Sequence, residues 1–161
     1  MSSNSYSRRT MLLAGFGAIL ASAVSSARAG ALLPKVIVNK DPSCGCCQKW
    51  ADHLSVAGFP VEVVAKADLA ALKATFGVTD ELKSCHTAEV AGYVLEGHVP
   101  ADAVLRLLRE KPAAAGLAVP GMPAGSPGME GGTPETYDVI LFGKDIRKTY
   151  ARYRGTAELP V

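Results

Sequence analysis

Residues 36–54 read VIVNKDPSCGCCQKWADHL, which is an apolar run, a short polar turn, three clustered cysteines and a helical pattern. The apolar run at residues 36–38 predicts a buried strand. Apolar residues then recur at i, i+3, i+4 and i+7, the spacing of one helix face; they are Cys47, Trp50, Ala51 and Leu54. The cysteines therefore lie between a strand and a helix, and Ser43 is the predicted N-cap of that helix.

The same alternation of strand and helix patterns continues along the chain. Further strands are predicted at residues 61–64, near 90–95, at 137–142 and at 146–150, and further helices at 68–76 and 101–110. Polar residues 84–88 are expected to form neither element, and the Gly- and Pro-rich residues 116–134 are expected to form a loop. We predict an α/β fold, a single thioredoxin-like domain with a central mixed sheet flanked by helices and a C-terminal antiparallel hairpin. Thioredoxin-like folds carry their cysteine motif where this chain does, after the first strand.

The first 29 residues predict an export signal. Arg8 and Arg9 precede a Gly- and Ala-rich apolar run, and residues 27–29 form an A-x-A cleavage pattern. The paired arginines favour a twin-arginine leader, and the apolar run is shorter than the roughly 20 residues that span a bilayer. We therefore predict a periplasmic protein that is cleaved after Ala29, with residues 30–161 as one domain and no stable membrane insertion after cleavage.

Export also changes the charge of the chain. The full sequence has 17 Lys and Arg against 15 Asp and Glu, but Arg8, Arg9 and Arg28 leave with the leader, so 14 and 15 remain. A near-neutral chain has neither the basic footprint of nucleic-acid binding nor a polybasic membrane patch. The remaining length, about 130 residues, is enough for a core that needs neither disulfide nor metal to fold.

Cys44, Cys46 and Cys47 place three sulfurs within one turn, more than one disulfide can use. Backbone N–H groups and the dipole at a helix N-terminus favour thiolate, and close thiolates repel unless they are protonated, oxidised or bound to metal. Copper(I) is a soft ion that prefers thiolate, and its low coordination number lets one sulfur bridge two ions. Zinc is the second choice, because its sites usually draw on two separated pairs of ligands. Structural disulfides and a catalytic dithiol remain alternatives.

Cys85 and His86 are further candidate metal ligands. They lie in the polar segment before the third predicted strand, and in a thioredoxin-like fold this segment approaches the cysteine turn. His53 follows Cys46 by about two helical turns and is expected on the solvated surface. His98 is expected to make a structural hydrogen bond.

Met122 and Met129 lie in the Gly- and Pro-rich loop, where no helical or strand period places them in a core. A thioether is a soft ligand for copper(I). Packing of the loop against the domain is the alternative role for both side chains.

Four blocks of sequence resemble the periplasmic copper-resistance proteins called CopG, a family long described as a domain of unknown function. They are PSCGCC at residues 42–47 with Trp50, SCHTA at 84–88, GYV and EGHVP within 92–100, and LAVPGMP and GSPGME within 117–130. The resemblance implies a thioredoxin-like fold and a copper(I) cluster held by thiolates. By position, these ligands are Cys44, Cys46, Cys47 and Cys85. It also implies a role in copper tolerance.

The combined prediction is an exported protein that binds several copper(I) ions in a polynuclear thiolate site and so handles copper outside the cytoplasm. Its expected partners are copper ions and other periplasmic copper-handling proteins. The alternative is an exported thiol–disulfide oxidoreductase, with Cys44 as the attacking thiolate and Cys47 as the resolving thiol. The sequence favours a binding protein over an enzyme and leaves redox activity open.

Overall fold

The computed structural model describes residues 32–161, so the predicted export signal lies outside the described residues. This part of the chain contains eight strands and three α-helices. In order they are β1 (Val36–Lys40), α1 (Gly45–Val56), β2 (Val61–Ala65), α2 (Ala70–Thr75), β3 (His86–Val90), β4 (Tyr93–Glu96), α3 (Ala101–Glu110), β5 (Gly116–Ala118), β6 (Thr136–Phe142), β7 (Arg147–Arg154) and β8 (Ala157–Leu159). A short 3-10 turn, Asp80–Leu82, precedes β3.

All eight strands belong to one sheet, in the order β2-β1-β3-β4-β5-β6-β7-β8. The pairs β1/β2 and β4/β5 are parallel, and the other neighbours are antiparallel. The predicted α/β class, the mixed sheet and the C-terminal antiparallel hairpin are therefore confirmed. The finer assignment to the thioredoxin-like folds stays a prediction.

The sheet buries apolar side chains on both faces. Successive residues of a strand point to opposite faces, and Leu141 and Phe142 of β6 accordingly belong to two different core clusters. The larger cluster also contains the buried faces of α1 and α3, whereas the smaller one lies under the residues that follow α2. Helices α1 and α3 thus pack in the core of one face, and the segment after α2 packs in the core of the other.

The two long helices form as their patterns predict. In α1 the predicted face is the buried one, and the Trp50 indole N–H donates to the Val99 carbonyl at 2.9 Å. Helix α3 follows Pro100, which cannot donate a backbone N–H. His53 is half-buried, and its Nε2 accepts the Ala101 N–H at 3.1 Å, so its expected place on the solvated surface is wrong.

The segment expected to precede a single third strand is itself part of a hairpin. Residues 86–90 form β3, and Ala91 and Gly92, with φ of +48° and +84°, turn the chain into β4. Two consecutive residues with positive φ are typical of the tight hairpin turn whose twist matches the strands. The polarity of residues 84–88 was misleading, because Thr87 is buried against other polar side chains rather than exposed to water.

Two further expectations at the C-terminal end are wrong. Residues 116–118 were expected in the loop but form β5, which pairs with β4 and β6. The last predicted strand continues to Arg154, and β8 adds a further strand after it. Burial explains this extension, since the Tyr153 ring stacks on that of Tyr137 with centroids 5.8 Å apart.

Candidate metal centre

The turn between β1 and α1 places three cysteines at the start of the helix. Helix α1 begins at Gly45, with Cys44 as its extended N-cap residue, so Cys46 and Cys47 lie in the first turn. The predicted capping by Ser43 is wrong, because its N–H and hydroxyl both donate to the Asp41 carboxylate. The N-cap residue Cys44 makes no side-chain capping bond, so the backbone N–H groups of the first turn can stabilise negative charge on the sulfurs.

Cys85 joins these cysteines through the pairing of β3 with β1. The register places His86 of β3 opposite Lys40 of β1, so the residue before β3 lies beside the turn that follows β1. The sulfurs of Cys44, Cys46, Cys47 and Cys85 all lie within 4.8 Å of one another. Sequence reasoning thus selected a set of four cysteines that the fold brings together.

The four sulfurs are in two oxidation states in this structure. Cys44 and Cys47 form a disulfide, and Cys46 and Cys85 are free thiols. The Cys46 sulfur lies 3.5 Å from that of Cys44, and the fully buried Cys47 sulfur lies 3.9 Å from the Cys85 carbonyl oxygen. Burial, with the neighbouring Cys46 as a second cause, raises the pKa of the Cys85 thiol to about 12.

Two histidines flank Cys85. The His86 Nδ1 lies 3.4 Å and the His98 Nε2 lies 3.1 Å from its sulfur. His98 Nδ1 lies 2.8 Å from the Pro127 carbonyl oxygen, which can only accept, so Nδ1 carries the proton and the Nε2 lone pair faces Cys85. These three residues form a second group with the spacing of metal ligands, with Cys85 common to both groups.

Both histidines are buried and held in the form that binds metal. Burial lowers the pKa of His98. Burial also lowers the pKa of His86, and positive charges near His86 lower it further. Neutral imidazole is the ligand form of histidine. The His86 ring packs 4.3 Å from that of Trp50, and among the described residues its Nε2 has no hydrogen-bond partner despite being fully buried.

His98 is the candidate ligand that sequence reasoning missed. It does make the expected structural hydrogen bond, but its second nitrogen faces the cysteine. The β3–β4 hairpin pairs Thr87 with Glu96, so the residues before Thr87 and after Glu96 meet at one end of the hairpin. The sequence signal for this meeting is the Ala91-Gly92 turn, which the strand predicted near residues 90–95 includes in one continuous strand.

The predicted methionine ligands lie in different places. Met129, with Cys46 and Lys49, lines an open cleft of about 410 Å³ at the start of α1. Gly128 brings this loop against the helix, since a Cβ there would lie 2.7 Å from the Cys46 carbonyl oxygen. Met122 is 53% exposed and is not among the residues that line this cleft.

Comparison with known proteins agrees with these observations. A family described as a protein of unknown function, DUF411, matches residues 82–129, which include Cys85, both flanking histidines and the methionine loop. A solved structure of copper resistance protein CopG, form 1, is 42% identical over 76% of this chain and 99% of its own, with a TM-score of 0.71. The chain belongs to the CopG family. A second CopG structure, form 2, is 40% identical over 80% of this chain and 99% of its own, with a TM-score of 0.70. No curated protein matches this CopG-family chain at a significant level.

Membership in the CopG family confirms the resemblance that the four sequence blocks carry. The two similar proteins are named for copper resistance. Within residues 32–161 of this CopG-family protein, none of the helices is long and apolar enough to cross a bilayer.

Proposed function

We propose that this protein is an exported copper(I)-binding protein that holds several ions in a polynuclear thiolate site and acts in copper tolerance. The observation that supports this best is the approach of four sulfurs to within 4.8 Å of one another. So many soft donors in so small a space favour a soft ion over the hard cations, which prefer oxygen. Copper is the cargo of the protein rather than a resident cofactor.

The donor set explains the preference for copper(I) over zinc. Four thiolates around one zinc ion would form a closed tetrahedral site. Here Cys85 is also close to two imidazoles, so the site offers more donors than one tetrahedral ion uses. Sulfurs that bridge ions of low coordination number use such a set more fully. We therefore propose Cys44, Cys46, Cys47 and Cys85 as the ligands, with His86 and His98 beside them.

Loading of the site requires reduction of the Cys44–Cys47 disulfide. A dithiol partner would supply two electrons and two protons, releasing two cysteine thiols and becoming a disulfide itself. Copper(I) then displaces the thiol protons to the solvent. Met129, at the cleft beside Cys46, is proposed to contact the ion as it enters. Met122, which lies on a more exposed part of the loop, is also proposed as a copper ligand.

Export is proposed from residues 1–29, with cleavage after Ala29 and function in the periplasm. Two arginines followed by an apolar run and an A-x-A pattern support this location. Other periplasmic copper-handling proteins are the proposed donors or acceptors. Fractionation of cells, with N-terminal sequencing of the exported protein, tests it: the proposal expects Gly30 as the first residue.

An alternative function, thiol–disulfide exchange, is favoured by one observation, the pairing of Cys44 with Cys47. Cys47 is fully buried and Cys44 is half-buried, so Cys44 is the more accessible sulfur for a partner's thiolate to attack. Such an enzyme needs neither Cys46 nor Cys85. A copper–thiolate site needs both.

Copper(I) titration of the reduced protein under anaerobic conditions, against a competing chelator, tests the proposal. We expect more than one tightly bound copper per chain and protection of the thiols from alkylation. Cys46→Ser and Cys85→Ser should each lower the copper stoichiometry, whereas His53→Gln, a histidine outside the site, should not. Full copper loading by Cys46→Ser, together with rapid disulfide exchange, would instead identify an oxidoreductase.

A further inference from the structure

A buried ion pair lies beside the candidate metal centre but contributes no ligand to it. The Glu96 carboxylate, at the end of β4, is fully buried, and the Lys73 ammonium from α2 donates to it. The Lys73 side chain is 8% exposed. Removing two charges from water is costly, and a buried ion pair is often no more stabilising than apolar side chains of similar volume. The contacts of this pair therefore point to a role other than stability.

The carboxylate binds both sides of the dipeptide Cys85-His86. The Ser84 backbone N–H donates to Glu96 Oε1 at 2.6 Å, and the Thr87 hydroxyl donates to Oε2 at 2.7 Å. Lys73 also donates to the Thr87 hydroxyl oxygen at 2.9 Å, which fixes the direction in which that hydroxyl points. One carboxylate thus holds the residue before Cys85 and the residue after His86.

The strand ladders end next to Cys85, since the β1–β3 ladder reaches only as far as His86, opposite Lys40. The β3–β4 ladder pairs Thr87 with Glu96, so Cys85 lies outside it. The Gly97 N–H donates to the His86 carbonyl at 3.0 Å, and the Ser84 hydroxyl donates to the Gly121 carbonyl. Among these contacts, only the bonds to Glu96 involve a charged group, and such bonds are about twice as strong as neutral ones.

We propose that Glu96, neutralised by Lys73, is a positioning residue for the metal centre. It fixes the backbone on both sides of Cys85-His86 and so holds the Cys85 sulfur against the three cysteines of α1. Outer partners that orient ligands typically change metal affinity by about 10-fold to 100-fold when they are removed. This inference rests on the proposed copper function, but its geometric part can be tested without metal.

The test compares Glu96→Gln with the double variant Lys73→Met, Glu96→Leu. The single variant leaves the Lys73 charge buried without its partner and is expected to lose stability. The double variant replaces the pair with apolar side chains and is expected to keep the fold, yet it removes the acceptor for Ser84 and Thr87. Val139→Ala, a core change on β6, is the control.

Two measurements are made on each variant, together with its denaturation midpoint. The first is copper(I) affinity and the copper–thiolate absorption spectrum, where we expect the double variant to lose about 10-fold to 100-fold in affinity. The second is the alkylation rate of Cys85 without metal, in a Cys46→Ser background with the Cys44–Cys47 disulfide intact, so that Cys85 is the free thiol. We expect this rate to rise several-fold in the double variant. Val139→Ala should change the midpoint without changing either readout.

The outcomes separate this inference from the proposed function. If the double variant binds copper(I) as tightly as the wild type, the positioning role is overturned, whatever the alkylation rate. If the wild type itself binds no copper(I), the proposed function fails and the alkylation rate alone decides the positioning role. An unchanged alkylation rate would then overturn it, and a faster rate would support it.

Discussion

Cys85 is the residue on which the two groups of candidate ligands meet. Its sulfur lies near three cysteine sulfurs and near two imidazoles, and it is reached from β3 rather than from the cysteine turn. Because burial raises the pKa of this thiol, it is protonated in the metal-free protein at neutral pH. Copper(I) must displace that proton in order to bind.

We therefore expect Cys85 to react slowly with alkylating reagents below pH 9 and its rate to rise steadily up to pH 10.5. The pKa of this thiol, about 12, exceeds its ordinary value of 9.0, so its stabilising contribution is complete below pH 9.0 and is lost as the pH rises toward 12. Rate measurements on the oxidised Cys46→Ser protein check this, because burial, the largest cause of the raised pKa, remains there although Cys46 is gone. The same protein in denaturant is the control. A rate that levels off near pH 9 in the folded protein would contradict it.

Gly97 permits the close approach of Ser84 to the end of β4. Its φ is +71°, and an added Cβ would lie 2.5 Å from the Ser84 Cβ and from the Val119 carbonyl oxygen. Gly92 has a similar φ, +84°, but an added Cβ there meets no atom within 4 Å. Alanine substitutions at the two glycines therefore separate two costs in stability, that of a side chain at positive φ and that of the close contact with Ser84 and Val119.

We expect Gly97→Ala to destabilise the protein by about 1–3 kcal/mol more than Gly92→Ala, the usual cost of forcing extra atoms into a packed site. It should also weaken copper binding, because the displaced segment carries Cys85. Urea denaturation and copper(I) titration of both variants check this. Equal losses of stability would show that the chain relaxes around Gly97 without cost.

At the scale of elements, the Gly- and Pro-rich loop acts as a cover on the first turn of α1. Gly128 lies against the helix backbone, where an added Cβ would be 2.7 Å from the Cys46 carbonyl oxygen and 2.9 Å from the Trp50 backbone nitrogen. Gly132, four residues further on, also has a positive φ, but an added Cβ there meets nothing within 4 Å.

Gly128→Ala should therefore move the loop away from α1 and Gly132→Ala should not. We expect faster alkylation of Cys46 and weaker copper(I) binding in Gly128→Ala, because the cleft beside Cys46 opens. Reagent kinetics on the reduced, metal-free variants check this. Identical rates for the two variants would show that the loop does not control access to the site.

Helix α3 begins without a side-chain cap of its own, and His53 of α1 supplies the acceptor for its first N–H. A protonated imidazole cannot accept that bond. Burial lowers the pKa of His53 below its ordinary 6.5, so the stability from this bond is present above pH 6.5 and is lost as the pH falls below it.

We expect His53→Ala to cost about 1 kcal/mol at pH 8, as for the loss of a helix cap. His53→Gln keeps an acceptor that does not titrate, so its stability should fall less between pH 8 and pH 5.5 than that of the wild type. The acid loss that remains is assigned to His86 and His98, whose pKa values are lowered in the same direction. Denaturation midpoints of the wild type and of both variants at the two pH values check this. An equal fall in the midpoints of the wild type and His53→Gln would contradict it.

At the scale of the whole molecule, the core does not depend on the metal centre. The larger cluster extends from β1 through α1 and α3 to β7, and the residues that hold it together are apolar. The cysteines lie at one edge of this core, where only Cys47 is fully buried.

We therefore expect the reduced, copper-free protein to keep its fold. Chelation of copper should leave the far-UV circular dichroism unchanged and lower the unfolding free energy only by linkage, about 2.7 kcal/mol for each bound ion when free copper(I) was at 100 times its dissociation constant. A loss of secondary structure on chelation would contradict this and would show that metal binding and folding are coupled.

The sequence by itself determined the local patterns and the kinds of ligand. Periodicity located α1 and α3, and the clustered cysteines identified the thiolate chemistry, because these depend on residues that are neighbours in the chain. The tertiary structure alone decided which distant residues meet. His98 faces Cys85 because of a tight turn at Ala91-Gly92, and residues 86–88 begin a strand because buried Glu96 and Lys73 bond the polar Thr87 side chain. Such contacts arise from strand pairing across the chain, which no local pattern records.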